Sequence, residues 1–244
     1  MSRGVATDLE QRESDMTITT TTLTRAAGLC AVVAGLLFIA VQINHPALDV
    51  GLVTTTEWKI RESMKIGVSV LALVGITGMY LPQAKKVGVI GLAGYLILSA
   101  AFLIMFSNQI IAVVVLPTLA ASAPAYVSDI LTVVGGGKAV GDLGLMTTLN
   151  ALGGFTYIAG GLVFGIALFR AGVLARWASA LLAVATVLAM AIPLLPQVNE
   201  RLFAVPTGVA LIGLGYSLWR THRSPAASPA SEPVTAPLTP AFVQ

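Results

Sequence analysis

Charge is what this sequence has least of. Asp, Glu, Lys and Arg make up 10% of its 244 residues, against about 25% in an ordinary water-soluble domain, so little of the surface is built to face water. Cysteine is nearly absent too. The single Cys30 excludes an intramolecular disulfide and any zinc site built on cysteines. His45 and His222 are the only two histidines, and they fall on opposite faces of the layout derived below, which excludes haem held between two histidines and a His-only zinc site. No acid and no histidine lies in the middle of the long apolar runs, where proton pumps and proton-driven antiporters carry them. The motifs of known chemistries are missing as well. Gly135-Gly136-Gly137-Lys138 fails as a phosphate loop because Ala139 stands where Ser or Thr is needed. Neither a Gly-x-Ser-x-Gly elbow nor a His-Glu-x-x-His helix occurs. The sequence therefore nominates no catalytic residue, no metal ligand set and no cofactor.

Hydrophobic residues, at 56%, supply what is there. They gather in six runs, about residues 24–44, 64–82, 87–116, 148–169, 173–195 and 202–219. A bilayer core takes roughly 20 apolar residues of helix, and the backbone must satisfy its own hydrogen bonds there. The expected fold is all-α, a polytopic transmembrane bundle of six spans with both termini cytoplasmic. The second run is short between Lys65 and Pro82, so Lys65 is expected to snorkel to the interface. The third is too long for a simple span. Asn108 and Gln109 interrupt it, which predicts that the helix leaves the hydrocarbon near them and continues as a packed apolar projection to Pro117.

Lys and Arg set the orientation. With the N-terminus inside, the cytoplasmic side holds nine of them (Arg3, Arg12, Arg25, Lys85, Lys86, Arg170, Arg176, Arg220 and Arg223) and the outer side five (Lys59, Arg61, Lys65, Lys138 and Arg201). The partners this implies are the bilayer and anionic headgroups on the cytoplasmic face, in a bacterial plasma membrane. No basic patch with interleaved aromatics points to nucleic acid. Domain boundaries follow from composition: a polar, disordered cytoplasmic segment at 1–22, the membrane domain at 23–220, and a disordered Pro-, Ala- and Ser-rich tail at 221–244. The first apolar run begins after Asp8, Glu10, Glu13 and Asp15, so it reads as a retained anchor rather than a cleaved signal. Small residues at short spacing, Ala27-Ala31-Gly35, Gly88-Gly91-Gly94, Gly161-Gly165 and Ala171-Ala175-Ser179-Ala183, predict close helix contacts within one chain or in a homodimer.

Polar residues gather near the outer helix ends. Asn44, His45, Asp49, Asn108, Gln109, Asp129, Asp142 and Asn150 would line an outward vestibule, though ordinary outer-loop polarity accounts for the same pattern. In Asn44-His45-Pro46 the proline turns the chain at the end of the first run, and His45 with Asp49, Asp129 or Asp142 would make at most a weak metal site. Residues 56–61 read as a short interfacial helix with Trp58 at headgroup depth. Tyr126, Ile130 and Val134 predict an amphipathic stretch in the long outer loop, hinged at Gly135–Gly137, as a lid or a simple cap.

Asn44-His45-Pro46, Trp58, the stretch Arg170-Ala171-Gly172-Val173-Leu174-Ala175-Arg176-Trp177 and Gly215-Tyr216-Ser217-Leu218-Trp219-Arg220 together resemble a broad, functionally uncharacterised group of multi-spanning bacterial membrane proteins typical of high-GC Gram-positive bacteria. The resemblance covers about residues 24–220. It implies a bundle of about six helices and brings no activity. Where members of that group carry a second histidine early in the second span, this chain has Ser63, Met64 and Lys65. Three functions stay open on the residues: a non-enzymatic protein binding a lipid, a small apolar ligand or a protein partner through its outer half; a transporter or transporter subunit using Pro193, Pro196 and Pro206 as helix breaks; and a lipid-modifying membrane enzyme using His45 with Asp49 or Asp142.

Overall fold

The computed structural model describes residues 19–43, 45–188 and 204–221. Asn44, Pro193, Pro196, Arg201, the two ends of the chain (1–18 and 222–244) and hence His222 lie outside them. The described residues are helical apart from turns and connections, as the apolar runs predict.

Helix α1 (Thr20–Gln42) starts where the Thr19 hydroxyl accepts the Thr22 N–H at 3.2 Å, one of the four donors a helix start leaves open. Helix α2 (Thr56–Tyr80) is capped in the same way by Thr55, with Glu57 in its first turn. It begins eight residues before the expected residue 64, so the interfacial helix of the sequence reading is its first turns. A tight turn at Leu81–Gln83, carrying Pro82, reverses the chain into α3 (Ala84–Ile110). Gly88 kinks the start of α3 with φ 60°, a conformation that suits glycine alone. Gly88 therefore shapes the backbone and is not part of a packing stripe. A π-helical turn at Ile111–Val115 leads into α4 (Leu116–Ser122), followed by α5 (Pro124–Val134). Helix α6 (Leu145–Ala171) ends at the left-handed Gly172, and α7 (Arg176–Leu188) and α8 (Val205–Thr221) complete the bundle.

The long helices close into a ring in which α1 packs on α2, α2 on α3, α3 on α6, α6 on α7, α7 on α8 and α8 back on α1. Glycines make these contacts backbone to backbone. A Cβ on Gly28 would lie 2.7 Å from the Gly215 carbonyl oxygen, and one on Gly215 would lie 2.5 Å from that of Gly28. Gly35 and Gly208 face each other in the same way one heptad along, so α1 and α8 run antiparallel across a double glycine contact. Gly94 and Gly160 join α3 to α6, and Gly161 and Gly165 join α6 to Thr186 and Ala183 of α7. Ala27 meets Gly78 of α2, and Ala31 packs between Gly75 of α2 and Gly215 of α8. Of the predicted stripes, Ala27-Ala31-Gly35, Gly94 and Gly161-Gly165 thus pack helices of one chain.

Outside this seam the ring presents large apolar side chains. Val89 is 81% exposed and Leu96 55% on α3, with Leu36 on α1 and Phe155 on α6 alike. The runs Thr20–Gln42, Thr56–Ser122 and Leu145–Ala171 are long and apolar enough to cross a membrane. The interior holds two apolar clusters. One, around Ala31, Ile76, Phe164, Leu182 and Leu214, fills the basic half of the ring. The other, around Val53, Trp58, Leu116, Val127 and Leu131, lies under α4 and α5 at the capped end. Helix α5 buries Val127, Ile130 and Leu131, while Val134 is exposed, which shifts the predicted Tyr126-Ile130-Val134 face by about one residue.

Replacing Gly28 or Gly215 by Leu is predicted to destabilise the bundle by about 1–3 kcal/mol, because neither backbone can retreat. The change Gly154→Ala, with open space around the new methyl, is predicted to leave stability unchanged or raise it by up to about 1 kcal/mol. Thermal unfolding of the detergent-solubilised variants reads both.

Candidate functional site: a cavity under the capped end

The two apolar clusters do not meet, and between them lies a cavity of about 360 Å³, within the size range of small-molecule sites. Its wall is mostly hydrocarbon: Phe38 of α1, Ala101, Phe102 and Met105 of α3, Ile130 and Leu131 of α5. Polar groups enter from four helices, Thr207 of α8 among them. Glu62 and Lys65 come from α2, Asn108 and Gln109 from α3, and Asn150 and Tyr157 from α6.

Glu62 and Lys65 are three residues apart, which puts them on one helix face. The Lys65 ammonium donates to Glu62 Oε1 at 2.5 Å, with Glu62 2% exposed. This partner holds the Lys65 ammonium on the cavity wall. A charge buried without a partner costs several kcal/mol, and the pairing removes that need. Across the cavity the Tyr157 hydroxyl donates to Thr207 Oγ1 at 3.0 Å, joining α6 to α8. The His45 ring reaches the wall and its Nδ1 lies 2.9 Å from the Pro46 carbonyl oxygen.

Trp58 is buried, and its indole N–H donates to the Ala112 carbonyl at 2.8 Å. The reason lies in the third apolar run. Within the π turn the Leu116 N–H reaches back to Ile111, which leaves the Ala112 carbonyl to residue 117. That residue is proline and has no N–H. Trp58 supplies the missing donor from α2, and past Asn108 and Gln109 the run continues packed against protein, with Ala112 and Leu116 buried, as the sequence predicts.

Of the polar residues expected to line a vestibule, the structure brings His45, Asn108, Gln109 and Asn150 to one cavity. Asp49, Asp129 and Asp142 are elsewhere, each accepting backbone N–H groups of its own loop. Asp49 Oδ1 accepts from Leu52 at 2.9 Å and Asp142 Oδ1 from Gly144 at 2.8 Å. Asp129 holds Val140 and Gly141 at 3.0 and 2.8 Å, and these two donors keep its carboxyl below the usual 3.8. Asn44 lies outside the described residues. Among the described residues no group of three or more His, Cys, Asp or Glu could hold a metal. Sequence reasoning missed Glu62, Lys65 and Tyr157; the three-residue spacing of Glu62 and Lys65 beside an apolar run was the available signal, and Tyr157 left none.

Two outcomes follow. Trp58→Phe orphans the Ala112 carbonyl and is predicted to cost about 1–3 kcal/mol; Pro117→Ala, which restores an N–H, is predicted to recover much of that loss in a double-mutant cycle read by thermal unfolding. For Asp129, a lowered folded pKa means its stabilisation is present above 3.8 and lost as pH falls through the lower folded value. Hydrogen exchange at the Val140 and Gly141 amides is predicted to accelerate, beyond its intrinsic pH dependence, below pH 3.8, and Asp129→Asn is predicted to abolish that extra step.

No family model, no curated protein and no solved structure matches this chain, so its function is argued from the geometry alone.

Proposed function

We propose that this chain is a six-span protein of the bacterial plasma membrane, with both termini cytoplasmic, that binds a small, largely apolar ligand in the cavity under its outer end. The cavity carries the reading. It is walled by hydrocarbon, it has a few converging polar groups, and it lies between two packed clusters. The orientation is supported by charge. Lys85, Lys86, Arg170, Arg176 and Arg220 sit at the end of the bundle away from α4 and α5, and basic residues favour the cytoplasmic side. Helices α4 and α5 then cap the outer mouth. The exposed aliphatic surface of the ring is the surface that lipid would cover, and the glycine seams are the contacts that let helices associate without help from water. Among the described residues, those that line the cavity suit holding an apolar body and a small polar head, and this supports a binding role.

Ala101 is buried on the cavity wall, so Ala101→Phe fills space that a ligand would use. Native mass spectrometry of protein released from membrane-derived nanodiscs is predicted to show a discrete co-purifying mass on the wild type and little of it on Ala101→Phe. The same bulk lipid on both, and nothing else, would count against a binding role.

A further inference from the structure

Resting on that binding role, we infer that the ligand is an uncharged amphiphile, with a hydrocarbon body of about ten carbons and a head that both donates and accepts hydrogen bonds, such as a hydroxyl or an amide. Charge comes first. Among the described residues, the carboxylate and the ammonium on the cavity wall are Glu62 and Lys65, and they neutralise each other in direct contact. An anionic head drawn to Lys65 would sit beside Glu62, and a cationic head drawn to Glu62 would sit beside Lys65. In a site of low dielectric each of these is costly. A neutral head meets neither penalty.

Hydrogen-bonding capacity then sets the kind of neutral head. The indole of Trp58 is satisfied by Ala112, and Tyr157 donates to Thr207. His45, Gln109 and Asn150 also line the wall, and α2 and α3 add open groups beside them. The Lys65 ammonium has three N–H groups and gives one to Glu62 Oε1, so donors are left over. The second carboxylate oxygen of Glu62 is left as an acceptor. Asn108 Oδ1 is buried with no partner, a further acceptor on the same wall. A buried acceptor left unpaired costs about 1–3 kcal/mol, so a head group that donates to it while accepting from Lys65 completes the set. A purely apolar ligand would leave all three groups unanswered. The volume fixes the rest: 360 Å³ at about 30 Å³ per water-sized group holds about a dozen heavy atoms, and Phe38, Phe102 and Met105 give the body its apolar wall.

The test uses Trp58 as a reporter inside the cavity. In Trp177→Phe/Trp219→Phe protein reconstituted in nanodiscs, Trp58 is the remaining tryptophan, and 10-bromo-1-decanol is the quenching probe. Saturable quenching, reversed by unbrominated 1-decanol, is expected. Decyl sulfate and decylammonium are expected to compete roughly tenfold or more weakly than 1-decanol. Glu62→Gln is expected to raise the apparent affinity for decyl sulfate, and Lys65→Met that for decylammonium, an exchange of specificity that a purely structural ion pair would not produce. Decyl sulfate or decylammonium competing with the wild type as well as 1-decanol does would overturn the neutral-head inference and leave the binding role standing. Quenching that rises linearly with probe, as for partition into bulk lipid, would overturn both. The comparison among three competitors on the wild-type cavity decides the matter even if either charge variant fails to fold.

Discussion

Everything in this fold depends on how closely two backbones can approach. In the proposed bilayer, lipid tails are as apolar as leucine, so burying hydrocarbon gives helices little reason to associate and van der Waals contact must do the work. Gly28 and Gly35 of α1 against Gly208 and Gly215 of α8 supply that contact without side chains between. They join the first and last helices of the bundle and so close the ring. Once closed, the ring can be filled at one end by large side chains such as Phe164 and Leu182 and left incompletely filled at the other. The cavity is a consequence of that uneven filling.

A second constraint shapes the capped end. The third apolar run is too long to end where a simple helix would, and Pro117 removes a donor from its last turns. The π turn and the Trp58 indole answer the backbone group that proline leaves open. Because Trp58 belongs to α2, this local repair also fixes the start of α2 against the far end of α3. Glu62 and Lys65 follow one and two turns later on α2 and are thereby carried to the cavity wall.

The apolar runs were legible because hydropathy and helix length are local properties; each run contains a helix, within the described residues. The start of α2 was misplaced because Glu57, Lys59, Arg61 and Glu62 read as water-facing. The helix takes them in because Thr55 caps it earlier and because Glu57 pairs with Arg61 and Glu62 with Lys65 along its face. Polarity near the capped end was legible as a set but not as a site. Nothing local distinguishes an asparagine that reaches a cavity, such as Asn108, from an aspartate that holds a loop, such as Asp129 on Val140 and Gly141. That distinction needs the register of α2, α3 and α6 against one another, which the glycine contacts set.

The most direct test of this account is an accessibility scan of α3. Single cysteines carrying nitroxide labels would be placed along the helix in a Cys30→Ser background in liposomes, and relaxation by oxygen and by a water-soluble nickel chelate compared. The account predicts high oxygen and low nickel contact at Val89, Leu92, Leu96 and Leu103, which face outward, and low values for both at Leu98 and Phe102, which pack inside. Nickel contact at the outward positions, or oxygen contact with the opposite phase, would contradict a lipid-covered ring packed on its glycine faces.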